Sequence, residues 1–308
     1  MIKRLIDCTT GDIAGMGKTD LLKSIALSEG RVLACETIGA VPPYLESVTN
    51  AEFACGMGAD MLILNMFDVN SPKIYGLPPV EKAGTIHELK RLTGRVVAVN
   101  LEPADPEFSA DAGDNVWALT EGRRATVQNA RTLCEMGADM IVLTGNPGIG
   151  VQNRAITESL RDISQALGDR MILVAGKMHA SGILLEAGEN LIKREDISEF
   201  VKAGADIILL PAPGTVPGIT MEYIRGLVEY AHGLGALTLT TIGTSQEGAD
   251  RDTIRRIALM CKMTGTDIHH IGDSGYIGMA LPENITAYSV AIKGVRHTYR
   301  RMVRSVNR

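Results

Sequence analysis

Apolar runs and amphipathic segments alternate along this chain, and their order is repetitive. A phrase of Gly, a small residue and Asp precedes an apolar run at Gly58, Gly137, Gly204 and Gly265. Each copy follows a segment with helical periodicity, so we interpret the Gly as a helix end and the apolar run as a strand buried on both faces. Four further strand-like runs lie before or between the copies, at 31–36, 95–100, 170–175 and 236–241.

Eight buried strands that alternate with helices predict the fold. A strand–helix–strand–helix unit repeated about four times is typical of a single (β/α)8 TIM barrel, an α/β fold. We expect residues 1–30 to form a short N-terminal helical extension, 31–281 the barrel core and 282–308 a C-terminal helix. The extension should lie outside the strand ring, where it closes the bottom of the barrel or reaches a neighbour. No segment resembles an interdomain linker.

Composition narrows the class of protein. The chain has 308 residues, of which 45% are hydrophobic, and a net charge of −5, which argues against a general nucleic-acid binder. Its five cysteines show no metal-binding spacing and suit buried thiols in a reducing cytosol. No apolar run approaches the ~20 residues of a membrane helix. We therefore expect a cytoplasmic protein without nucleic-acid or membrane partners, with a homo-oligomer possible.

Two charged or Gly-rich segments invite other interpretations. The C-terminal segment is basic and contains Arg296, Arg300, Arg301, Arg304 and Arg308. We interpret these residues as the solvated face of the last helix, and contact with nucleic acid or a membrane is the alternative. The segment 11–19 resembles a phosphate-binding P-loop, but it has five residues instead of four between its outer glycines and no strand before it. No nucleotide cofactor is expected.

Polar residues gather where the predicted strands end, which is the catalytic face of a TIM barrel. Because side chains alternate along a strand, aligning the repeats assigns faces. The strands that follow the Gly–small–Asp copies end at one set of equivalent positions, which are Asn65, Thr144, Pro211 and Gly272. The other four strands end at a second set, which are Glu36, Asn100, Ala175 and Thr241. Two residues further on, on the same face, lie Glu102, Lys177 and Gly243. We expect these polar side chains, and Asn146 in the loop after Thr144, to line one pocket. The polar stretch 102–121 is either a lid or a tolerated insertion.

The candidate catalytic residues are Glu36, Asp68, Glu102, Lys177 and His179. Two carboxylates with a Lys and a His could exchange protons or hold a divalent cation, and the sequence leaves the metal open. Lys177 is a Schiff-base amine or a charge clamp for an anion. His269 should face outward and His270 inward, each read as a buried histidine whose hydrogen bonds are satisfied.

The loops after the seventh and eighth strands predict a phosphate site. They contain Gly243, Thr244 and Ser245, and Gly272, Asp273, Ser274 and Gly275. Barrels often bind phosphate at these two loops through backbone N–H groups, and Gly permits a close approach. The carboxylate of Asp273 would repel an anion, so we expect it to turn away, or to hold a cation or a sugar hydroxyl.

A resemblance covers essentially the whole chain. The stretch from Ala34-Cys35-Glu36 through Asn65-Met66-Phe67-Asp68, with the ending 282–301, resembles an uncharacterised bacterial TIM-barrel family that is often labelled haloacid-dehalogenase-like. That label fits poorly, because the dehalogenase superfamily needs an N-terminal Asp-x-Asp motif, which 7–12 does not supply. The segment 65–69 is also similar to BtpA-like barrels linked to photosystem biogenesis. Neither resemblance implies an established activity.

These observations favour an enzyme that acts on a small phosphorylated metabolite, with a sugar phosphate preferred, as a lyase or isomerase. A metal-dependent hydrolase is the second hypothesis, although the His-x-His signature common in barrel metallohydrolases is absent from the first strand. A non-catalytic ligand-binding or assembly protein of the BtpA-like type is the third. Bound metal would favour the hydrolase, and binding without turnover would favour the third.

Overall fold

The computed structural model describes residues 2–104, 119–145, 151–179 and 187–308. The strands are β1 Val32–Ile38, β2 Met61–Asn65, β3 Val96–Leu101, β4 Met140–Leu143, β5 Ile172–Gly176, β6 Ile207–Pro211, β7 Leu237–Ile242 and β8 Ile268–Ile271. The helices are α1 Thr10–Ala14, α2 Lys18–Ala26, α3 Asn50–Gly56, α4 Thr85–Thr93, α5 Val127–Glu135, α6 Asn153–Leu167, α7 Arg194–Ala203, α8 Met221–Gly233, α9 Arg251–Thr264 and α10 Pro282–Val303.

The eight strands form a closed parallel barrel in sequence order, with β8 paired to β1. The predicted (β/α)8 TIM barrel is therefore confirmed. Alternation along each strand divides the core in two. One set of side chains fills the interior of the barrel, and the other packs beneath the surrounding helices.

The N-terminal segment closes the bottom of the barrel. Leu5, Ile13, Leu21 and Ile25 belong to the same apolar cluster as the interior side chains of the strands. Lys18 fixes the segment further, since its amine pairs with Asp206 at 2.7 Å and donates to the carbonyl oxygen of Gly168 at 2.6 Å. The P-loop-like stretch is thus part of two short helices, with no strand ahead of it.

The recurring aspartates join the strands in pairs at this lower end. Each accepts a hydrogen bond from the backbone N–H at the start of the preceding strand: Asp60 from Leu33 (2.9 Å), Asp139 from Val97 (2.9 Å), Asp206 from Leu173 (2.8 Å) and Asp267 from Thr238 (2.8 Å). Each carboxylate also pairs with a basic side chain: Asp60 with Lys293 and Arg301, Asp139 with Lys90, Asp206 with Lys18, and Asp267 with His232. The repeat seen in the sequence is therefore a repeated strand clamp.

The first of these clamps is completely buried. Lys293 and Arg301 of α10 both pair with Asp60, the latter at 2.7 Å, and their side chains are 0% and 1% exposed. Arg304 donates to the carbonyl oxygens of Asp7 and Cys8. The prediction of a solvated basic face is therefore wrong for Arg301, whose charge is needed inside the molecule. Within the described residues, no helix is both long and apolar enough to cross a membrane.

Replacing Asp60 should test how strongly this clamp stabilises the fold. Asp60→Asn keeps the size of the side chain and an acceptor oxygen but removes the charge. We expect the free energy of unfolding to fall by about 3–5 kcal/mol, because two buried cations lose their counter-charge. Urea unfolding followed by circular dichroism measures this change.

Asp139→Asn is the matched control, since Asp139 clamps a strand in the same way. Its partner Lys90 is 25% exposed, so water can solvate the unpaired amine. The expected loss is at most about 1 kcal/mol. Equal losses in the two variants would contradict the role assigned to burial.

Candidate active site

Backbone strain concentrates at the upper end of the barrel, where the strands finish. Met66, Thr244, Ser245 and Ser274 are non-glycine residues with φ values of 56°, 57°, 73° and 55°. They follow β2, β7 and β8. Positive φ is unfavourable for such residues and tends to persist where the surroundings serve a function. The strained end is the one where barrel enzymes keep their active sites.

The centre of this end is a pairing between β1 and β8. His270 Nε2 lies 2.6 Å from Glu36 Oε2, and the two side chains are 1% and 12% exposed. The strand register aligns His270 with Ala34, so Glu36 is the next interior position along β1. His270 faces inward as predicted, but the expectation of a fully satisfied histidine is wrong: its buried Nδ1 has no hydrogen-bond partner among the described residues. His269 faces outward as predicted, toward Tyr288 and the carbonyl of Gly30.

Asp273 joins this pair from the loop after β8. Its carboxyl accepts hydrogen bonds from Asn65 Nδ2 and from the backbone N–H of Gly275, both at 2.8 Å. A hydrogen bond couples it to the carboxyl of Glu36. Asp273 therefore turns into the barrel mouth, and the expectation that it turns away is wrong.

Burial controls the protonation of this cluster. It raises the pKa of Glu36 to about 7, opposed by the hydrogen bond with Asp273 and reinforced by the charge of Glu247. Burial and the neighbouring Glu36 raise the pKa of Asp273 to about 7 as well. Burial lowers the pKa of His270 to about 4. At neutral pH the imidazole is therefore uncharged, and the two carboxyls hold exchangeable protons.

Glu247 is a fourth member that the sequence analysis did not select. It lies in the short turn after β7, is 7% exposed, and its Oε2 has no hydrogen-bond partner within the described part of the chain. A Cβ on Gly272 would lie 3.4 Å from the carboxyl carbon of Glu247, so the acid packs directly on the β8 backbone. Burial raises its pKa, and the charge of Asp273 adds to the effect.

A cavity of ≈ 290 Å³ opens beside the cluster. Residues from several strand ends line it: Glu36, Asn65, Met66, Asn100, Glu102, Arg123, Thr144, Gly145, Met178 and His179. The structure thus brings together six of the predicted site residues, which are Glu36, Asn65, Asn100, Glu102, Thr144 and His179. Burial lowers the pKa of His179, and the charge of Lys177 lowers it further.

The far side of the cavity is built around an ion pair. Glu102 Oε1 lies 2.5 Å from Arg123 Nη2, and both side chains are less than a tenth exposed. Backbone hydrogen bonds also join Glu102 to the segment 123–125. The N–H of Glu102 donates to the carbonyl oxygen of Arg123, and the carbonyl oxygen of Glu102 accepts from the N–H of Ala125. Burial raises the pKa of Glu102, against the opposing charge of Arg123. Arg123 was not selected from the sequence.

Lys177 does not lie where the repeat alignment predicted. The aspartate clamps show that Leu173 corresponds to Leu33 and Val97, so Gly176 is the equivalent of Glu36. The predicted register for β5 is therefore wrong by one residue. Met178, not Lys177, lines the cavity, and Lys177 is buried at 2% exposure. A Schiff base or an anion clamp at Lys177 is not supported by this position.

Asp68 also lies outside the cavity. Its carboxylate accepts hydrogen bonds from the backbone N–H groups of Asn70 and Ser71, at 2.7 and 3.1 Å. The backbone of Gly122 packs so closely on this carboxylate that a Cβ at Gly122 would clash with it. Asp68 therefore organises the loop after β2. Asn146 lies outside the described residues, as does most of the proposed lid at 102–121.

Some polar groups in or beside the two loops predicted to bind phosphate are already bonded to the protein. The Thr244 hydroxyl donates to the carbonyl of Thr215 at 2.8 Å, and the Thr241 hydroxyl donates to that of Leu210 at 3.0 Å. The N–H of Gly275 is bonded to Asp273. A Cβ on Gly243 would lie 3.2 Å from the Met178 sulfur, so this loop packs against the cavity wall. An anion between the loops would require the nearby acids Asp273 and Glu247 to be protonated, because an ionised carboxylate there would repel it.

No set of three or more His, Cys, Asp or Glu side chains within the described ranges is arranged to hold a metal ion. The divalent cation therefore stays a prediction without a candidate ligand set. Asp273 was selected for the phosphate site, but the grouping of Asp273 and His270 around Glu36 was not predicted. The sequence contains one indication of this grouping, since His270 and Asp273 are three residues apart at the end of the same strand, with Gly272 between them.

Comparison with known proteins places the chain in a family. A family model described as a domain of unknown function, DUF7916, matches residues 6–308. The chain belongs to the DUF7916 family. No curated protein matches it. The predicted similarity to BtpA-like barrels, and the link to proteins labelled haloacid-dehalogenase-like, stay predictions.

Solved structures with a similar fold are distant from this DUF7916 protein in sequence. Thiamine phosphate pyrophosphorylase from Pyrococcus furiosus is 14% identical with a TM-score of 0.46, over 87% of this chain and 98% of that one. A Burkholderia cenocepacia protein provisionally called a lyase/mutase is 16% identical with a TM-score of 0.47, over 83% and 82% of the two chains.

The raised pKa of Glu36 predicts how the free energy of unfolding should depend on pH. A buried acid whose folded-state pKa is raised to about 7 stabilises the fold most below its unfolded pKa, and that contribution is lost as pH rises through about 7. Glu36→Gln should therefore gain stability relative to the wild type between about pH 5 and pH 8. We expect at least about 1 kcal/mol, since one pKa unit corresponds to about 1.4 kcal/mol.

Urea unfolding at a series of pH values measures the gain. Glu46→Gln, at an exposed carboxylate in the loop after β1, is the control and should follow the wild type at every pH. If the difference between Glu36→Gln and the wild type did not change with pH, Glu36 would not carry a raised pKa.

Proposed function

We propose that this protein is an enzyme that transfers protons to and from carbon in a small substrate, as a lyase or isomerase. The observation that carries the proposal is the Glu36–His270–Asp273 cluster, in which a cavity-lining carboxyl with a pKa near 7 contacts a neutral imidazole at 2.6 Å. General acid–base catalysis is most effective when the pKa of the catalytic group lies near the working pH.

The roles of the three residues follow from their positions. Glu36 lines the cavity, so it is the group that can remove a proton from substrate carbon and return it. His270 and Asp273 each contact Glu36 from β8 and its loop, and they orient the carboxyl and stabilise its two protonation states. Asn65 holds Asp273 in turn at 2.8 Å. Glu36 is thus the catalytic residue, and His270, Asp273 and Asn65 position it.

The phosphate grip between Gly243 and Gly275 is not part of this proposal. Asp273 and Glu247 place two acidic groups beside these loops, and an anion would bind there only while both are protonated. A phosphorylated substrate stays a prediction from the sequence. The hydrolase alternative needs a metal, for which the described residues offer no ligand cluster.

Exchange of substrate hydrogen with solvent tests the proposal directly. The protein is incubated in deuterium oxide with a panel of small hydroxyaldehydes, hydroxyketones and hydroxy acids, and NMR follows deuterium entering the position beside the carbonyl. We expect exchange with at least one compound, and a rate that rises as pH increases through about 7, because the ionised Glu36 is the base.

Glu36→Gln should slow this exchange by about a hundredfold or more. Glu283→Gln is the control, since it removes a carboxylate of the same kind from an exposed helix position. Exchange that survives in Glu36→Gln at the wild-type rate would overturn the assignment of the base. No exchange with any compound of the panel would count against proton transfer at carbon.

A further inference from the structure

Several basic residues gather around a cleft at the lower end of the barrel. The cleft has a volume of ≈ 670 Å³, and residues of the N-terminal segment and of the C-terminal end of α10 line it. The charged residues that concern us here are Arg4, Asp7, Arg300 and Arg304. Because the N-terminal segment closes the bottom of the barrel, the cleft lies on the opposite side from the candidate active site.

Three arginines of this cleft converge on Asp7. Arg4 Nε donates to Asp7 Oδ2 at 2.6 Å, and Arg300 Nη1 donates to Asp7 Oδ1 at 2.9 Å. Arg304 Nη1 donates to the backbone carbonyl oxygen of the same residue at 2.8 Å. Contact with one residue brings the three guanidinium groups close together, although one arrives from the N-terminal segment and two from the end of α10.

Positive charge exceeds negative charge at this point. Asp7 is the only acidic side chain among the described residues that line the cleft, and the bond from Arg304 reaches a carbonyl oxygen, which carries no net charge. One carboxylate thus faces three guanidinium groups. The whole chain has a net charge of −5, so this excess is local and contrasts with the rest of the molecule.

The pKa values of the cluster reflect the same imbalance. Burial lowers the pKa of Arg304, and the charges of Arg301 and Arg300 lower it further. Burial acts to raise the pKa of Asp7, but Arg4 and Arg300 hold it below its usual range. Asp7 is therefore ionised at neutral pH, and its single negative charge is already shared by two arginines.

Solvent reaches these guanidinium groups. The side chains of Arg4 and Arg300 are 37% and 53% exposed, so a ligand in the cleft can contact them. Ion pairs as exposed as these contribute little to stability, so each guanidinium can turn from Asp7 to a ligand at small cost. The planar fork of N–H donors on an arginine matches the oxygens of a phosphate group.

We propose that the cleft binds a small compound with a diphosphate group. One phosphate contacts Arg300 and Arg304, and the other contacts Arg4. A single carboxylate would balance too little of the excess charge, whereas two linked phosphates match it and span the two chain segments. The volume is within the range of about 300–1,000 Å³ that is common for ligand sites. Such a ligand joins the N-terminal segment to α10 and stabilises the folded state by mass action.

Isothermal titration calorimetry with inorganic pyrophosphate tests the proposal. We expect saturable binding that is at least about tenfold tighter than that of inorganic phosphate, because the second phosphate reaches the arginine on the other segment. Added salt should weaken the binding, since the groups involved are exposed. Arg300→Gln and Arg4→Gln should each weaken pyrophosphate binding about tenfold, because each removes one of the three cations.

Arg255→Gln is the matched control. Arg255 Nη1 lies 2.9 Å from Asp252 Oδ1 and its side chain is 55% exposed, so its surroundings resemble those of Arg300 in distance and exposure. Arg255 belongs to α9 and does not line the cleft. This variant should bind pyrophosphate as the wild type does. Thermal unfolding without ligand checks that each variant is folded.

Three results would each overturn the inference. The first is no saturable binding of pyrophosphate to the wild type, and the second is equal weakening in Arg300→Gln and Arg255→Gln. The third is binding of a short DNA duplex that Arg300→Gln weakens and pyrophosphate does not displace, which would indicate a nucleic-acid surface instead. Glu36→Gln should bind pyrophosphate normally, so this site and the proposed active site can fail separately.

Discussion

Four carboxylates at the lower end of the barrel hold the strands in register. A parallel strand that begins inside a closed barrel has an N–H group at its start that needs an acceptor. Asp60, Asp139, Asp206 and Asp267 provide it, each reaching from one strand to the one before it. Each clamp also pairs with a basic residue, and at Asp60 these partners balance the charge of the carboxylate where water is scarce.

The two ends of the barrel therefore differ in how they are built. The lower end is closed by the N-terminal segment and by α10, whose Lys293 and Arg301 are inside the molecule. Among the described residues, the upper end has no such clamps, and there the backbone adopts unfavourable φ values at Met66 and in the loops after β7 and β8. A firmly joined lower end stabilises the fold enough for the upper end to hold strained and buried polar groups.

Buried carboxyls at the two ends meet opposite surroundings. Asp60 has two cations beside it, and their charges lower its pKa despite complete burial. Glu36 is largely buried but has a neutral imidazole and a second carboxyl as neighbours, so burial raises its pKa to about 7. One kind of group thus holds a permanent charge at the lower end and titrates near neutral pH at the upper end, and the presence or absence of a cation makes the difference.

The sequence by itself determined the fold, because the Gly–small–Asp phrase marks a helix end, a strand clamp and a buried strand at once. It also placed Glu36, Asn65, Asn100 and Thr144 at the mouth, since their spacing from the clamps is regular. It failed for Lys177, because β5 is apolar on both faces and its sequence carries no alternation that could reveal a shift of one residue. Only the tertiary structure brought His270 and Asp273 against Glu36 and Arg123 against Glu102. These contacts join residues far apart in the chain, and the pKa values of the acids depend on burial and neighbouring charge.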